Sequence, residues 1–484
     1  VTLDVRDAGV ELRPDPSRTL AHFFLPGESA PGATSRVAKV GARVLALPRD
    51  EIDDGATRID DDFSDRHDEL DSFLGTNGAM IRAEAGDSDA LRTVFGAAFT
   101  AESAVEGAAL CNPSVVAHPD QSALPQGSLR VVVSLRSIGE GHVSTLSFCS
   151  AVIGPGRAWA FEERALPLAH ATVSDAEWDI DDLRRALEYD GTIAQVAHSV
   201  LRNLPSRLRG SDVERVISDL PDEFFGQFES RAVAEQIRQT TRSAYEARFE
   251  PGIALSRRVL SPVADDERYG MEDARFVRFT DRDGSVDYRA TYTAYDRRSV
   301  ASRSIVTTDF ETFSIRRLTG PAATSKGMAF FPRHVGGRLL ALTRADGESI
   351  SLAVSDDGRD WQDEAHVYEP TRLWEVVQSG NCGSPLETDR GWLVLTHGVG
   401  PMRRYSIGAI LLDLDDPSRV LGVLETPLLE PSARDRDGYV PNVVYSCGSI
   451  AVDGLLWIPY GIADQRIRVA SVPVEELLDA MAQP

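Results

Sequence analysis

Lysine is nearly missing from this chain of 484 residues: Lys39 and Lys326 are the two, and arginine supplies the rest of its 51 basic side chains. The scarcity reads first as a composition bias, but it makes Lys326 worth locating. Cysteine is also scarce. Cys111, Cys149, Cys382 and Cys447 form no CxxC pair and no regular spacing, which argues against a zinc site or a disulfide framework and for reduced, buried thiols. The nine histidines include no HxH or HExxH pattern, so no structural metal and no cofactor are expected. No run of about 18 or more apolar residues occurs, and Val1–Asp7 lacks the basic-then-apolar profile of a signal peptide. For a complete chain, the expectation is cytoplasmic residence.

What is present is acid. The formal net charge of -24 repels phosphate backbones and anionic lipid, so neither nucleic acid nor membrane is an expected partner. A neutral substrate, or a small anion held in a local basic pocket, fits better. The 42% hydrophobic and 26% charged content is that of a globular protein, long enough for one large core or roughly two to three domains.

The texture changes along the chain. Up to about Ala109, strand-like runs such as Arg43–Leu47 mix with helical ones such as Ala90–Phe99, which reads as an α/β extension. Leu129–Leu135 and Val143–Phe148 read as strands joined by the polar segment Arg136 to His142. From about Ser174 to Arg248 the period becomes helical: Leu183, Ala186, Leu187, then Ile193, Val196, Ala197, Val200 and Leu201, with a helix start at Ser211–Glu214. After Pro251, strand-like runs recur, punctuated by Asp283-Gly284, Asp357-Gly358 and Asp453-Gly454. The chain is therefore expected to be mainly β, a sandwich, barrel or propeller interrupted by helices.

The most informative motif is Gly270-Met-Glu-Asp-Ala-Arg275, two carboxylates and a guanidinium opening a β-type run. Asp273 is the candidate acid. A neighbour such as Glu272 can raise its pKa by like-charge repulsion, while Arg275 opposes that. A structural Glu-Asp turn is the plainer alternative. A second group, Arg136, Lys326, Arg344 and His397, lies at the ends of β-like runs or in Gly-rich turns, where convergence would build an anion site. Gly139-Glu-Gly-His142 could hold a general base or be a hairpin loop. Gly380–Pro385 lacks the spacing of a phosphate loop, and no GxSxG elbow occurs. The aromatics Trp361, Trp374, Tyr405, Tyr439, Tyr445, Trp457 and Tyr460 suit sugar rings or the core.

Taken together, these segments resemble glycoside hydrolase family 130, enzymes that cleave β-mannosides by phosphorolysis or hydrolysis. The resemblance is carried by Asn112-Pro-Ser114, Gly270–Arg275, Lys326–Pro332, Gly391–Val399, Val440–Val444 and Tyr460–Asp464, in the family's order. It implies a five-bladed β-propeller over 110–173 and 249–473, with the N-terminal α/β extension at 1–109, the helical insertion at 174–248 and a C-terminal tail at 474–484. It further implies that Asp273 is the general acid, acting through a hydroxyl of the bound mannosyl ring, and that Asn112, Glu272, Arg275 and Asp464 contact the sugar. Attack from the opposite face then inverts the anomeric carbon.

The resemblance places Arg136, Lys326, Arg344 and His397 where phosphorylases hold inorganic phosphate, so phosphorolysis of an oligosaccharide or disaccharide to mannose 1-phosphate is the first expectation. Three positions depart from the family: Gly327 replaces an asparagine, Gln378 or Ser379 a lysine, and Ala274 the proline after the acid. Hydrolysis by an inverting β-mannosidase is the alternative, with Glu140, Glu375 or Glu387 as the base; a non-catalytic sugar-binding propeller is the second. The extension and insertion could cover the cleft, set acceptor specificity or build a homo-oligomer.

Overall fold

The computed structural model describes residues 3–27, 35–81, 88–191, 195–220 and 228–483. The chain is mainly β. Among the described residues, most strands fall into five successive antiparallel units. The first is Ala109–Ala117, Leu129–Ile138, Ser144–Gly154 and Ala158–Phe161, and the second is Gly270–Thr280, Val286–Tyr295, Val300–Thr307 and Thr312–Arg317. The third starts at Ala329–Phe330 and ends at Gln362–Tyr368, and the fourth runs from Gln378–Asn381 to Val420–Val423. The fifth comprises Val444–Tyr445, Leu455–Ile462 and Arg466–Pro473.

Its outer strand is Arg6–Leu12, from the opposite end of the chain, paired antiparallel with Arg466–Pro473. The stretch read as an α/β extension thus also closes the last β unit. Neighbouring units are tied in a cycle. Phe276 N donates to Ser114 Oγ, Thr280 N to the Pro332 carbonyl, Asn381 Nδ2 to the Gly327 carbonyl, Tyr405 N to the Asn442 carbonyl, and Cys447 N to the Pro113 carbonyl.

Alternation explains the units. Along Leu455–Ile462 and Arg466–Pro473, Leu456, Ile458, Ala470 and Val472 pack on the core shared with the fourth unit, while Trp457, Ile467 and Val469 pack on the first. Trp361, Trp392 and Trp457 are fully buried, and with Trp159 and Trp178 five of the six tryptophans are core. All four cysteines are buried and unpaired.

The helical texture after Ser174 is realised in Ile180–Tyr189, Gln195–Leu201, Gly210–Ser218 and Phe228–Arg242. Leu183, Leu187, Ala197 and Val200 share a buried cluster with Val213 and Ile237. Ile193 and the side chain of Val196 lie outside the described residues. Asp212 accepts from the Arg209 backbone and fixes the helix start. One reading is corrected: Arg43–Leu47, expected as a strand, ends the helix Arg36–Leu45. Val37, Val40 and Val44 fall one turn apart and pack with Phe95 and Phe99, a period that five apolar residues are too few to declare. Among the described residues no helix is long and apolar enough to cross a membrane.

Candidate active site

Two matching bulges build the centre. In the first unit Asn112 and Pro113 together oppose one residue between Cys111↔Arg136 and Ser114↔Ser134; in the second, Asp273 and Ala274 do so between Glu272↔Thr293 and Arg275↔Thr291. A bulge re-aims a side chain and leaves its extra residue unpaired, so proline is tolerated there and alanine can replace it. Asn112 (φ 49°) and Asp273 (φ 58°) both adopt the left-handed conformation that asparagine and aspartate accept most readily. The bulges lie side by side: Asn112 Nδ2 donates to Asp273 Oδ1 at 2.6 Å.

Around them lies a cavity of about 190 Å³. Asn112, Arg136, Glu272, Asp273, Lys326, Arg344, His397 and Asp464 line it, joined by Gln378, Arg403, Tyr405, Val440, Val443 and Tyr445. Eight of the nine residues singled out in the sequence therefore meet. The ninth, Arg275, is buried behind the wall, where its guanidinium donates to Tyr445 Oη at 2.7 Å.

The cations are used unevenly. Arg136 donates to Glu272 Oε1 at 2.6 Å, to Asp273 Oδ1 at 3.2 Å and to Ser144 Oγ at 2.9 Å. Lys326 Nζ donates to Glu272 Oε2 at 2.7 Å. Glu272 is thus clamped between two cations, whereas among the described residues Arg344 meets only a neutral acceptor: its terminal nitrogen lies 3.1 Å from His397 Nε2. Gly380 permits this approach, since a Cβ there would stand 2.5 Å from His397 Cε1.

Burial by itself pushes the Asp273 carboxyl up, but Arg136, then Arg275, the Asn112 amide and Lys326 pull it below the ordinary aspartate range. Asp464 moves the other way. Burial, with repulsion from Asp273 and Glu272, raises it to about 6 against the pull of Arg136. Burial also depresses His397 well below the usual imidazole value, reinforced by Arg344 and Arg275, so it is neutral and its Nε2 accepts from Arg344.

The carboxylates named for hydrolysis stand elsewhere. Glu140 is exposed in a turn, Glu375 accepts from Tyr368 Oη at 2.6 Å in the core, and Glu387 pairs with Arg333 beside a separate cavity. Of the aromatics, Trp361 and Trp457 are core, Tyr405 and Tyr445 line the cavity, and Tyr439, next in sequence to the cavity-lining Val440, lies 2.9 Å from His142 Nδ1. Arg403 escaped the sequence reading. It sits in a turn between Gly391–Gly400 and Arg404–Leu412, with no motif to flag it.

A family model described as beta-1,4-mannooligosaccharide phosphorylase matches residues 252–483. A 1,2-beta-oligomannan phosphorylase of Thermoanaerobacter sp. (strain X514) is 33% identical over 231 residues, 46% of this chain and 75% of the relative. A beta-1,2-mannobiose phosphorylase of Listeria innocua serovar 6a is 32% identical over 228 residues, 45% of this chain and 62% of the relative, less than two thirds of its length. A solved structure of beta-1,2-mannobiose phosphorylase from Listeria innocua with beta-1,2-mannobiose aligns at TM-score 0.43 and 20% identity, over 78% of this chain and 93% of that one.

Proposed function

Because this chain belongs to glycoside hydrolase family 130, we propose that it is an enzyme that cleaves a β-linked mannoside by phosphorolysis, releasing mannose 1-phosphate with inversion. In this reading the cycle of five antiparallel units is a five-bladed β-propeller, and the cavity is its central mouth. The observation that carries the proposal is the meeting, in one cavity, of Asp273 with Arg344, a cation that no described carboxylate pairs.

Asp273 supplies the proton to the leaving oxygen through a hydroxyl of the mannosyl ring, whose other hydroxyls are held by Asn112 and Asp464. Phosphate attacks the anomeric carbon from the opposite face; the glycosidic bond breaks as the new carbon–oxygen bond forms. The cations around Asp273 favour its ionised form. Arrival of an anion offsets those cations and raises its affinity for the proton it must deliver.

Hydrolysis is the second reading, and Asp464 is what favours it: a cavity carboxylate with raised pKa and, among the described residues, no ion pair. The experiment is to incubate β-1,2- and β-1,4-linked mannosides with the protein, with and without inorganic phosphate. Phosphate-dependent mannose 1-phosphate is expected. Free mannose released at the same rate without phosphate would refute phosphorolysis and turn attention to Asp464.

A further inference from the structure

Leu373, Val376, Val377 and Met402 are left 73%, 56%, 57% and 91% exposed, and among the described residues Met402 and Leu373 are the two most exposed large hydrophobic side chains. They belong to two turns that touch. Val377 N donates to the Val399 carbonyl at 2.9 Å, and a Cβ on Gly400 would stand 3.0 and 3.2 Å from the carbonyl oxygens of Trp374 and Leu373. Apolar surface gathered in this way marks a place where something docks.

The ledge is built, not frayed. In the turn Leu373–Glu375, Glu375 is fully buried and accepts from Tyr368 Oη at 2.6 Å and from the Thr371 backbone at 3.3 Å. The Trp374 ring occupies the space that side chains on Gly398 and Gly408 would need, since a Cβ on either would stand 2.3 or 2.5 Å from it. The second turn, Pro401–Arg403, holds Met402 at φ 59° and Arg403 at φ 54°, two successive residues in a left-handed conformation that side chains of this size adopt reluctantly. Both turns lead into the cavity: Val377 precedes Gln378, Met402 precedes Arg403, and Gln378 and Arg403 line it.

The size and chemistry of the ledge narrow what can cover it. A stable dimer buries roughly 800 Å² on each partner, more than four side chains of this size provide. A further sugar ring needs hydrogen-bond partners, and these four side chains offer no donor and only a weak thioether acceptor. An alkyl or aryl group continuing out of the cavity matches the ledge in both extent and polarity.

We propose that this ledge seats an apolar leaving group, so that the β-mannosides this chain cleaves include those with an alkyl or aryl aglycone. The mannosyl ring lies beside Asp273, and the aglycone crosses the mouth onto Val376, Val377, Leu373 and Met402. The inference rests on reading the cavity as a β-mannoside site and is independent of whether phosphate or water attacks. Fixing the ledge in advance means that an aglycone is met without ordering a loop around it.

The test compares hexyl and methyl β-mannoside, titrated calorimetrically into the full chain carrying Asp273→Asn, so that binding is read without rapid turnover. Hexyl β-mannoside is expected to bind about tenfold or more tightly than the methyl compound. Adding Val376→Ser and Met402→Ser should weaken the hexyl compound about 3- to 10-fold and the methyl compound less than about twofold. Thermal unfolding checks each variant, and Leu373→Ser serves as an independent probe of the same surface. Equal affinity for the two mannosides, or an equal loss of both in the serine variants, would overturn the ledge while keeping the mannoside reading. No binding of either mannoside would remove that reading and the ledge with it. A chain that sediments as a dimer, and as a monomer once the two serines are present, would give the surface to a second copy and refute the proposal.

Discussion

The two walls of the cavity differ in what they offer a ligand, although both are rich in charge. On one, Asn112, Glu272, Asp273 and Asp464 present oxygens, and the cations among them are consumed: Arg136 and Lys326 both bind Glu272. On the other, Arg344 lies against the neutral His397, and no described carboxylate pairs with it. A hydroxyl-bearing ring and a small anion need opposite surroundings. The contrast shows that counting cations in a pocket is a poor guide to where an anion binds; what matters is which cations already have partners.

The strongest way to break this contrast is Asp273→Asn. Loss of the proton donor is expected to lower kcat by about 10²- to 10⁴-fold. If the walls work independently, calorimetric affinity for phosphate changes by less than about threefold. A full loss of phosphate binding would show the walls to be one electrostatic unit.

A smaller effect sharpens the acidic wall. The Asp464 carboxyl is raised from 3.8 to about 6, so between those values the folded chain holds a proton that the unfolded chain has released. Stability contributed through this group therefore falls as pH rises through that window. Asp464→Asn should be about 1–3 kcal/mol more stable than wild type at pH near 8 and no more stable below about pH 4, with urea midpoints as the measurement. An equal gain at both pH values would assign the effect to packing.

The smallest change is expected at Tyr439, one residue from the cavity-lining Val440. His142 and Tyr439 touch at 2.9 Å, but both are exposed. Tyr439→Phe should shift stability by less than about 0.5 kcal/mol and kcat/KM by less than about twofold. A larger loss of kcat/KM, measured on the same mannoside, would make this contact part of the sugar wall.

Much of the architecture could be read along the chain. Alternating apolar runs and Asp-Gly turns marked the β units, and apolar residues three and four apart marked the helices after Ser174, because both signals are local periods. Arg43–Leu47 misled for the same reason, being too short to carry a period. The pairing of Arg6–Leu12 with Arg466–Pro473 had no local signal at all. Of the site, Asp273 stood out through its motif, but Arg403 and the orientation of Arg275 did not, since a turn and a buried guanidinium leave no pattern in the neighbouring residues.

Residue order alone says which chemical groups are present and which strands or turns hold them: the acid at Asp273, its companions Glu272 and Arg275, the lone lysine of the β region at Lys326, and the missing side chain at Gly327. Which of those groups are spent on one another is settled when the chain folds. Arg136 reaches Glu272 across 136 positions and Arg275 reaches Tyr445 across 170. Whether a guanidinium is free to hold an anion depends on distances of about 3 Å between such remote residues, and those distances exist only when the β units close on one another.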